Sequence, residues 1–131
     1  MINPYFLVAG ILAILLGLIH SFLGEYLIFH KFRKKGNLVP SMTVEDIKER
    51  HLRIIWATWH LTSVFGWCLG AVYIKISFGL VKPNSGIVNF LIQSSIYTMF
   101  VGALLVLMGT KGKHPGWIVL LLIGVLLLLG N

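Results

Sequence analysis

Acidic residues are scarce in this sequence: Asp and Glu number 4 in 131 residues, against 11 Lys and Arg, and only 11% of the chain is charged. Hydrophobic residues make up 57%, and the mean hydropathy is +0.89. This composition is atypical of a water-soluble domain and predicts an integral membrane protein. A chain of this length, spent largely on membrane spans, leaves room for a single domain.

Other missing features argue against several classes of site and partner. Cys68 is the only cysteine, which excludes a disulfide within the chain. The spacing reveals no Ser/His/Asp or Cys/His arrangement and no phosphate-binding glycine loop. No basic residue precedes the first apolar run and no small-residue cleavage site follows it, so a removable signal peptide is not expected. The net charge of +7 comes without a nucleic-acid recognition motif, so no nucleic acid is expected as partner.

Four apolar segments are present, at about 4–29, 54–74, 87–108 and 115–130. Since a helix rises about 1.5 Å per residue and must cross roughly 30 Å of hydrocarbon, the first three are long enough and the fourth is short by several residues. We therefore predict an all-α bundle of four transmembrane helices in the inner (plasma) membrane. Three spans followed by a half-inserted hairpin is the alternative.

The basic residues predict the orientation of these spans. The loop between spans 2 and 3 has only Lys75 and Lys82, and the two other connections hold Lys31, Arg33, Lys34, Lys35, Lys48, Arg50, Arg53, Lys111 and Lys113. The positive-inside rule places those two connections in the cytoplasm and both termini outside. Anionic lipid headgroups are the expected partners of the basic connection between spans 1 and 2.

Two local signals mark helix boundaries. Thr43 and Asp46 resemble a capping box, which predicts that the second helix begins near residue 44 with an amphipathic cytoplasmic stretch over 44–53. The sequence 83–86, Pro-Asn-Ser-Gly, is typical of a turn before span 3.

Ionisable side chains inside the predicted spans are the main functional signal, because each costs at least about 2.5 kcal/mol at the centre of a bilayer on insertion scales. His20 lies about 14 Å and His60 about 10 Å from the cytoplasmic edge of its helix. At about 100° per residue, Glu25 points about 140° away from His20, whereas Gly17, Gly24 and Lys31 share the face of His20.

These positions suggest a b-type haem between spans 1 and 2. His20 and His60 would be the axial ligands, and Gly17 and Gly24 would make room for the porphyrin. Arg53 and Lys31 would bind the propionates. The expected function is electron transfer to or from a quinone or a protein partner.

Two alternatives stay open. The histidine pair could instead hold zinc, copper or iron or carry protons, with Glu25 or His51 brought in by a bend or a second subunit. The chain could also be a structural or accessory subunit with a polar packing seam. Its His60 would then bond a serine, and Glu25 would pair with a basic residue or turn toward the headgroups. The His20 partners in that case are Asn89, Gln93 and Tyr97.

Gly10, Gly17 and Gly24 recur every seven residues and could also form a contact between subunits of a homo-oligomer.

The motifs HSFLGE at 20–25, WHLTS at 59–63 and KHPGW at 113–117 together resemble those of small uncharacterised bacterial four-span membrane proteins. The resemblance covers most of the chain. It implies a four-span membrane fold and attaches no activity, cofactor or partner.

Overall fold

The computed structural model describes residues 2–42, 47–80 and 86–131. The described chain is all-helical, with α1 (Pro4–Leu27), a short 3₁₀ helix (Phe29–Phe32), α2 (Glu49–Ser77), α3 (Gly86–Gly109) and α4 (Gly116–Gly130). These helices lie over the four predicted apolar segments. The predicted capping box at Thr43 and Asp46, the helix start near 44 and most of the predicted turn at 83–86 lie outside the described residues.

Asn3 ties the ends of three helices together. Its side-chain oxygen caps α1 by accepting from the amides of Tyr5 (3.1 Å) and Phe6 (3.4 Å), and Pro4 occupies the first turn, where a missing N–H costs nothing. Its backbone N–H donates to the carbonyl of Ser77 at the end of α2 (2.9 Å), and its amide nitrogen donates to that of Gly130 at the end of α4 (3.0 Å). The start of α1 therefore lies beside the ends of α2 and α4, so both run antiparallel to α1.

The central element is α1, which packs against both α2 and α4, while α3 packs mainly against α4. The main core lies between the four helices, and its aromatic members, Phe6 and Tyr73, are 2% and 0% exposed. The rest of this buried cluster is aliphatic or Met, namely Ala9, Ala13, Ile76, Val88, Ile92, Met99, Ile123 and Leu127. The core occupies the half of the molecule nearest Asn3, and its buried members on α1 end at Ala13.

The glycines of α1 form the contact with α2. A Cβ atom on Gly10 would lie 2.7 Å from the carbonyl oxygen of Gly70, and one on Gly17 would lie 2.6 Å from Nε1 of Trp67. A Cβ atom on Gly24 would overlap the indole of Trp59. The seven-residue repeat is therefore occupied by α2 within the chain, and the predicted contact between subunits stays a prediction.

Two of the described helices, α1 and α3, are long and apolar enough to cross a membrane, and α4 is a shorter apolar helix. The middle of α2 is interrupted by His60, three tryptophans and several hydroxyl side chains, which lower its hydropathy.

We predict that Gly24→Ala lowers the free energy of unfolding by about 1–3 kcal/mol, because the new methyl group overlaps the Trp59 ring and the core cannot close around it. Gly66→Ala is the matched control on the same helix interface, since its nearest atom would be 3.7 Å away. Thermal unfolding in detergent measures both variants. Equal stability of the two would contradict the observed contact.

Candidate functional site

His20 is paired with a tryptophan. Its ring stacks on that of Trp59, with ring centroids 4.3 Å apart and planes 6° from parallel. The same indole donates from Nε1 to the backbone carbonyl of His20 (2.9 Å). The predicted hydrogen-bond partners of His20 lie elsewhere: Asn89 and Gln93 line a cavity of about 340 Å³ at the opposite end of the molecule. The His20 side chain therefore packs against α2 through an aromatic face.

The predicted porphyrin space is filled by side chains of α2. Gly17 and Gly24, expected to line it, are buried under Trp67 and Trp59. Arg53, expected to bind a propionate, instead forms an ion pair with Glu49 one turn earlier on α2. The arrangement of these residues does not fit a haem between α1 and α2.

The other predicted ligands also have different neighbours. Lys31 lies exposed in the 3₁₀ helix. His51 is exposed at the start of α2 and accepts from Nε of Arg50 (3.2 Å), so it is not brought to Glu25. Within the described ranges 2–42, 47–80 and 86–131, no group of three or more His, Cys, Asp or Glu side chains is placed to hold a metal ion.

Glu25 is the centre of a polar cluster at the α1–α2 seam. Its Oε1 atom is paired with the guanidinium of Arg33, which follows the 3₁₀ helix. Its Oε2 atom accepts from Nε1 of Trp56 (3.1 Å) and lies 3.5 Å from Nε2 of His60. The Glu25 and Arg33 side chains are only 30% and 24% exposed. The Arg33 guanidinium, the Trp56 indole N–H and the His60 ring therefore surround one carboxylate.

The opposite nitrogen of His60 faces a serine. Ser21 Oγ lies 2.7 Å from His60 Nδ1 and 3.1 Å from the hydroxyl of Ser63, which is 2% exposed. Because an ionised carboxylate only accepts hydrogen bonds, its position beside Nε2 favours the His60 tautomer with the proton on Nε2. Nδ1 is then an acceptor. The structure thus places His60 between a hydroxyl and a carboxylate.

The segment after α1 closes over this cluster. Phe29 is fully buried, with its ring 5.8 Å from that of Trp59 and 6.1 Å from that of His60. The chain then turns back, because the amides of Ser41 and Met42 both donate to the carbonyl of Phe32 (2.9 Å each). This return holds Arg33 against the Glu25 carboxylate.

The sequence predicted a serine at His60 and a basic residue at Glu25 without naming either residue, and the structure shows Ser21 and Arg33 in these places. It found no catalytic spacing for Ser21 or Ser63, whereas the structure brings Ser21 to His60 across 39 residues of chain. A usable signal was present, since Ser21 and Glu25 are four residues apart and therefore share a face of α1. The conclusion that Glu25 serves a neighbour other than His20 agrees with the ion pair to Arg33.

Comparison with known proteins found no matching family model, no similar curated protein and no similar solved structure.

We predict that Arg33→Gln lowers the free energy of unfolding by about 1 kcal/mol, because Glu25 then lies half-buried without its cation, partly screened by solvent. Lys34→Gln removes the same charge from an exposed neighbour and is the control. Chemical unfolding at low and high salt measures the difference. If the two variants unfold alike, the ion pair contributes nothing to stability.

Proposed function

We propose that this chain is a plasma-membrane protein whose four helices all cross the bilayer, with both termini outside and the basic connections in the cytoplasm. The low buried fraction of the apolar helices supports this proposal. In the most apolar 18-residue stretches of α1 and α3, only 28% and 22% of residues are buried, whereas the core helix of a soluble protein is mostly buried. Phe22, Phe90 and Tyr97 are 71%, 73% and 71% exposed. Surfaces this apolar need a lipid environment or another protein.

Fluorescent labelling of single cysteines tests this topology. In a Cys68→Ser background, we expect an impermeant maleimide to label Lys34→Cys and Lys111→Cys only in inside-out vesicles. Leu80→Cys, in the connection between α2 and α3, is expected to react only in right-side-out vesicles. Labelling of all three from the same side would contradict the four-span arrangement.

Within this protein, we propose that His60 and Glu25 form a proton-exchanging pair near the cytoplasmic surface. The carrying observation is that His60 lies between the Ser21 hydroxyl, 2.7 Å from Nδ1, and the Glu25 carboxylate, 3.5 Å from Nε2. Ionisable groups in apolar spans are costly and commonly mark proton pathways. Histidine is also the side chain that changes charge near neutral pH.

The surroundings allow His60 to gain and lose a proton without rearranging the helices. When His60 is neutral, Ser21 donates to Nδ1. When it is charged, both ring nitrogens donate, so Nδ1–H points to Ser21 and Ser21 donates onward to Ser63. The hydrogen-bond direction reverses while the heavy atoms stay in place.

The charged groups facing His60 are Glu25 from α1 and, behind it, Arg33. His20 lies at the other edge of the α1–α2 seam, stacked on Trp59.

The contacts favour this function over a haem-linked one, because a porphyrin between His20 and His60 would have to displace the Trp59 and Trp67 indoles from Gly24 and Gly17. Electron transfer through a redox cofactor, binding of anionic lipids by the basic connection and self-association stay predictions.

Nitrogen-15 NMR of the histidine rings, in protein labelled at histidine, tests the proton-exchanging pair. We expect the neutral His60 ring to carry its proton on Nε2, and both ring nitrogens to move to the charged state on acidification. His60→Gln assigns the signal, and the exposed His30 is the internal reference. In Glu25→Gln the tautomer preference should weaken, because a carboxamide can donate as well as accept.

Two results would contradict the proposal. One is a His60 signal that stays neutral through the range in which His30 becomes charged. The other is a purified protein with a visible haem spectrum that disappears in His20→Ala, which would restore the redox hypothesis.

A further inference from the structure

The cluster at the α1–α2 seam has the order hydroxyl, imidazole, carboxylate. Ser21 Oγ is 2.7 Å from one ring nitrogen of His60, and Glu25 Oε2 is 3.5 Å from the other. This is the order of a serine nucleophile, its general base and the acid that orients the base, with the carboxylate contact longer than a hydrogen bond. The chain order, with serine first and histidine last, carries no weight, since such triads are recognised by geometry.

We propose that Ser21 is the nucleophile of an acyl-transfer site, with His60 as its general base and Glu25 as the positioning residue. The substrate class is a carboxylic ester that carries a long acyl chain and enters from the bilayer. This inference rests on the proposed function, because it requires His60 to accept a proton.

The protonation states favour attack by Ser21. With the Nε2 proton directed at Glu25, Nδ1 has a free lone pair, and only Ser21 lies in hydrogen-bond reach of it among the described contacts. Attack requires the single Ser21 proton to be directed at Nδ1, whereas in the resting arrangement Ser21 donates to Ser63 (3.1 Å). Trp56 and Arg33 hold the carboxylate through its two oxygens, so Glu25 cannot turn away from the ring.

The proposed reaction is hydrolysis of the ester in two steps, acylation of Ser21 and hydrolysis of the acyl-serine. Ser21 Oγ attacks the ester carbonyl carbon while its proton moves to His60 Nδ1; the carbon–oxygen bond to the alcohol then breaks, and the alcohol leaves with that proton. Water attacks the resulting ester on Ser21, gives one proton to His60, and releases the fatty acid as the ring returns the proton to Ser21 Oγ. No oxidant, metal or other co-reactant is required.

The location of Ser21 suits a substrate that arrives through lipid. Ser21 lies at the edge of the α1–α2 seam that is opposite the edge holding His20 and Trp59. The side chains beside it, Leu18, Phe22 and Val64, are 50%, 71% and 48% exposed. Apolar, accessible neighbours of this kind can contact an acyl chain. Arg33 and Lys34 at the cytoplasmic edge lie where the polar part of an amphiphile would be.

One N–H donor without an acceptor lies about one helical turn along α1 from Ser21. Trp67 Nε1 is buried and makes no hydrogen bond within the described part of the chain. It lies against Gly17, four residues and therefore about 6 Å along the helix from Ser21. A buried indole N–H without an acceptor is costly in the resting state, and a developing negative charge on the carbonyl oxygen would satisfy it.

An alkyl fluorophosphonate tests the proposal, because it transfers its phosphorus to an activated serine. The full chain in lipid nanodiscs is treated with the probe, and the modified peptide is identified by mass spectrometry. We expect one phosphonylated residue, Ser21, and none in Ser21→Ala. Because general-base catalysis contributes about 100-fold or more, His60→Gln should slow labelling by at least about 100-fold. Ser94→Ala on α3 should label at the wild-type rate.

The role of Glu25 is tested by the pH profile of labelling. The wild-type rate should rise as His60 loses its proton, whereas the residual rate of His60→Gln should lack this rise. Glu25→Gln should reduce the rate, and Glu25→Asp should restore part of it. Circular dichroism and gel filtration establish that each variant is folded.

Three outcomes would overturn the triad: no phosphonylation of Ser21, equal phosphonylation of several serines, or an unchanged rate in His60→Gln. If Ser21 does not react while the NMR signal of His60 still titrates, the triad is wrong and the proton-exchanging pair stands. If His60 does not titrate, both proposals fail.

Discussion

The packing of indole rings on the glycines of α1 is the constraint on which the rest of the structure depends. Because Gly17 and Gly24 have no side chains, Trp67 and Trp59 lie directly against the backbone of α1. This close approach sets the separation of α1 and α2, and with it the 2.7 Å contact between Ser21 and His60. A larger residue at either glycine would move two helices apart and open every polar contact between them.

The polar cluster is held by an ion pair and close packing rather than by a complete hydrogen-bond network, since Glu25 Oε1, Arg33 Nε and His60 Nε2 are buried without hydrogen bonds. Glu25 has one cation and one N–H donor, and His60 has a neighbour at each ring nitrogen. The cation is Arg33, which lies in the segment that turns back after α1. The site therefore needs the connection between α1 and α2 as well as the two helices. Arg33 is suited to this role because a guanidinium stays charged and offers several donors in a fixed plane.

The two histidines of the seam have separate roles because they lie on opposite edges of it. His20 points to the side of Trp59, and His60 points to the side of Ser21 and Glu25. Matching depths along two antiparallel helices suggested a facing pair. Depth alone does not determine whether two side chains meet, since rotation about each helix axis decides the edge on which each side chain lies. The adjacent residues Trp59 and His60 diverge for the same reason.

The sequence by itself determined the helical class, the approximate positions of the four helices, and the cost of placing His20, Glu25 and His60 among apolar residues. These follow from local hydropathy, residue spacing and helix geometry, which need no knowledge of neighbouring segments. Only the tertiary structure decided that Trp59 and Trp67 fill the glycine surface, that Arg33 reaches Glu25, and that Ser21 meets His60. Those contacts join segments 8 to 50 residues apart, and their geometry depends on how each helix is rotated about its axis, a quantity that hydropathy does not encode.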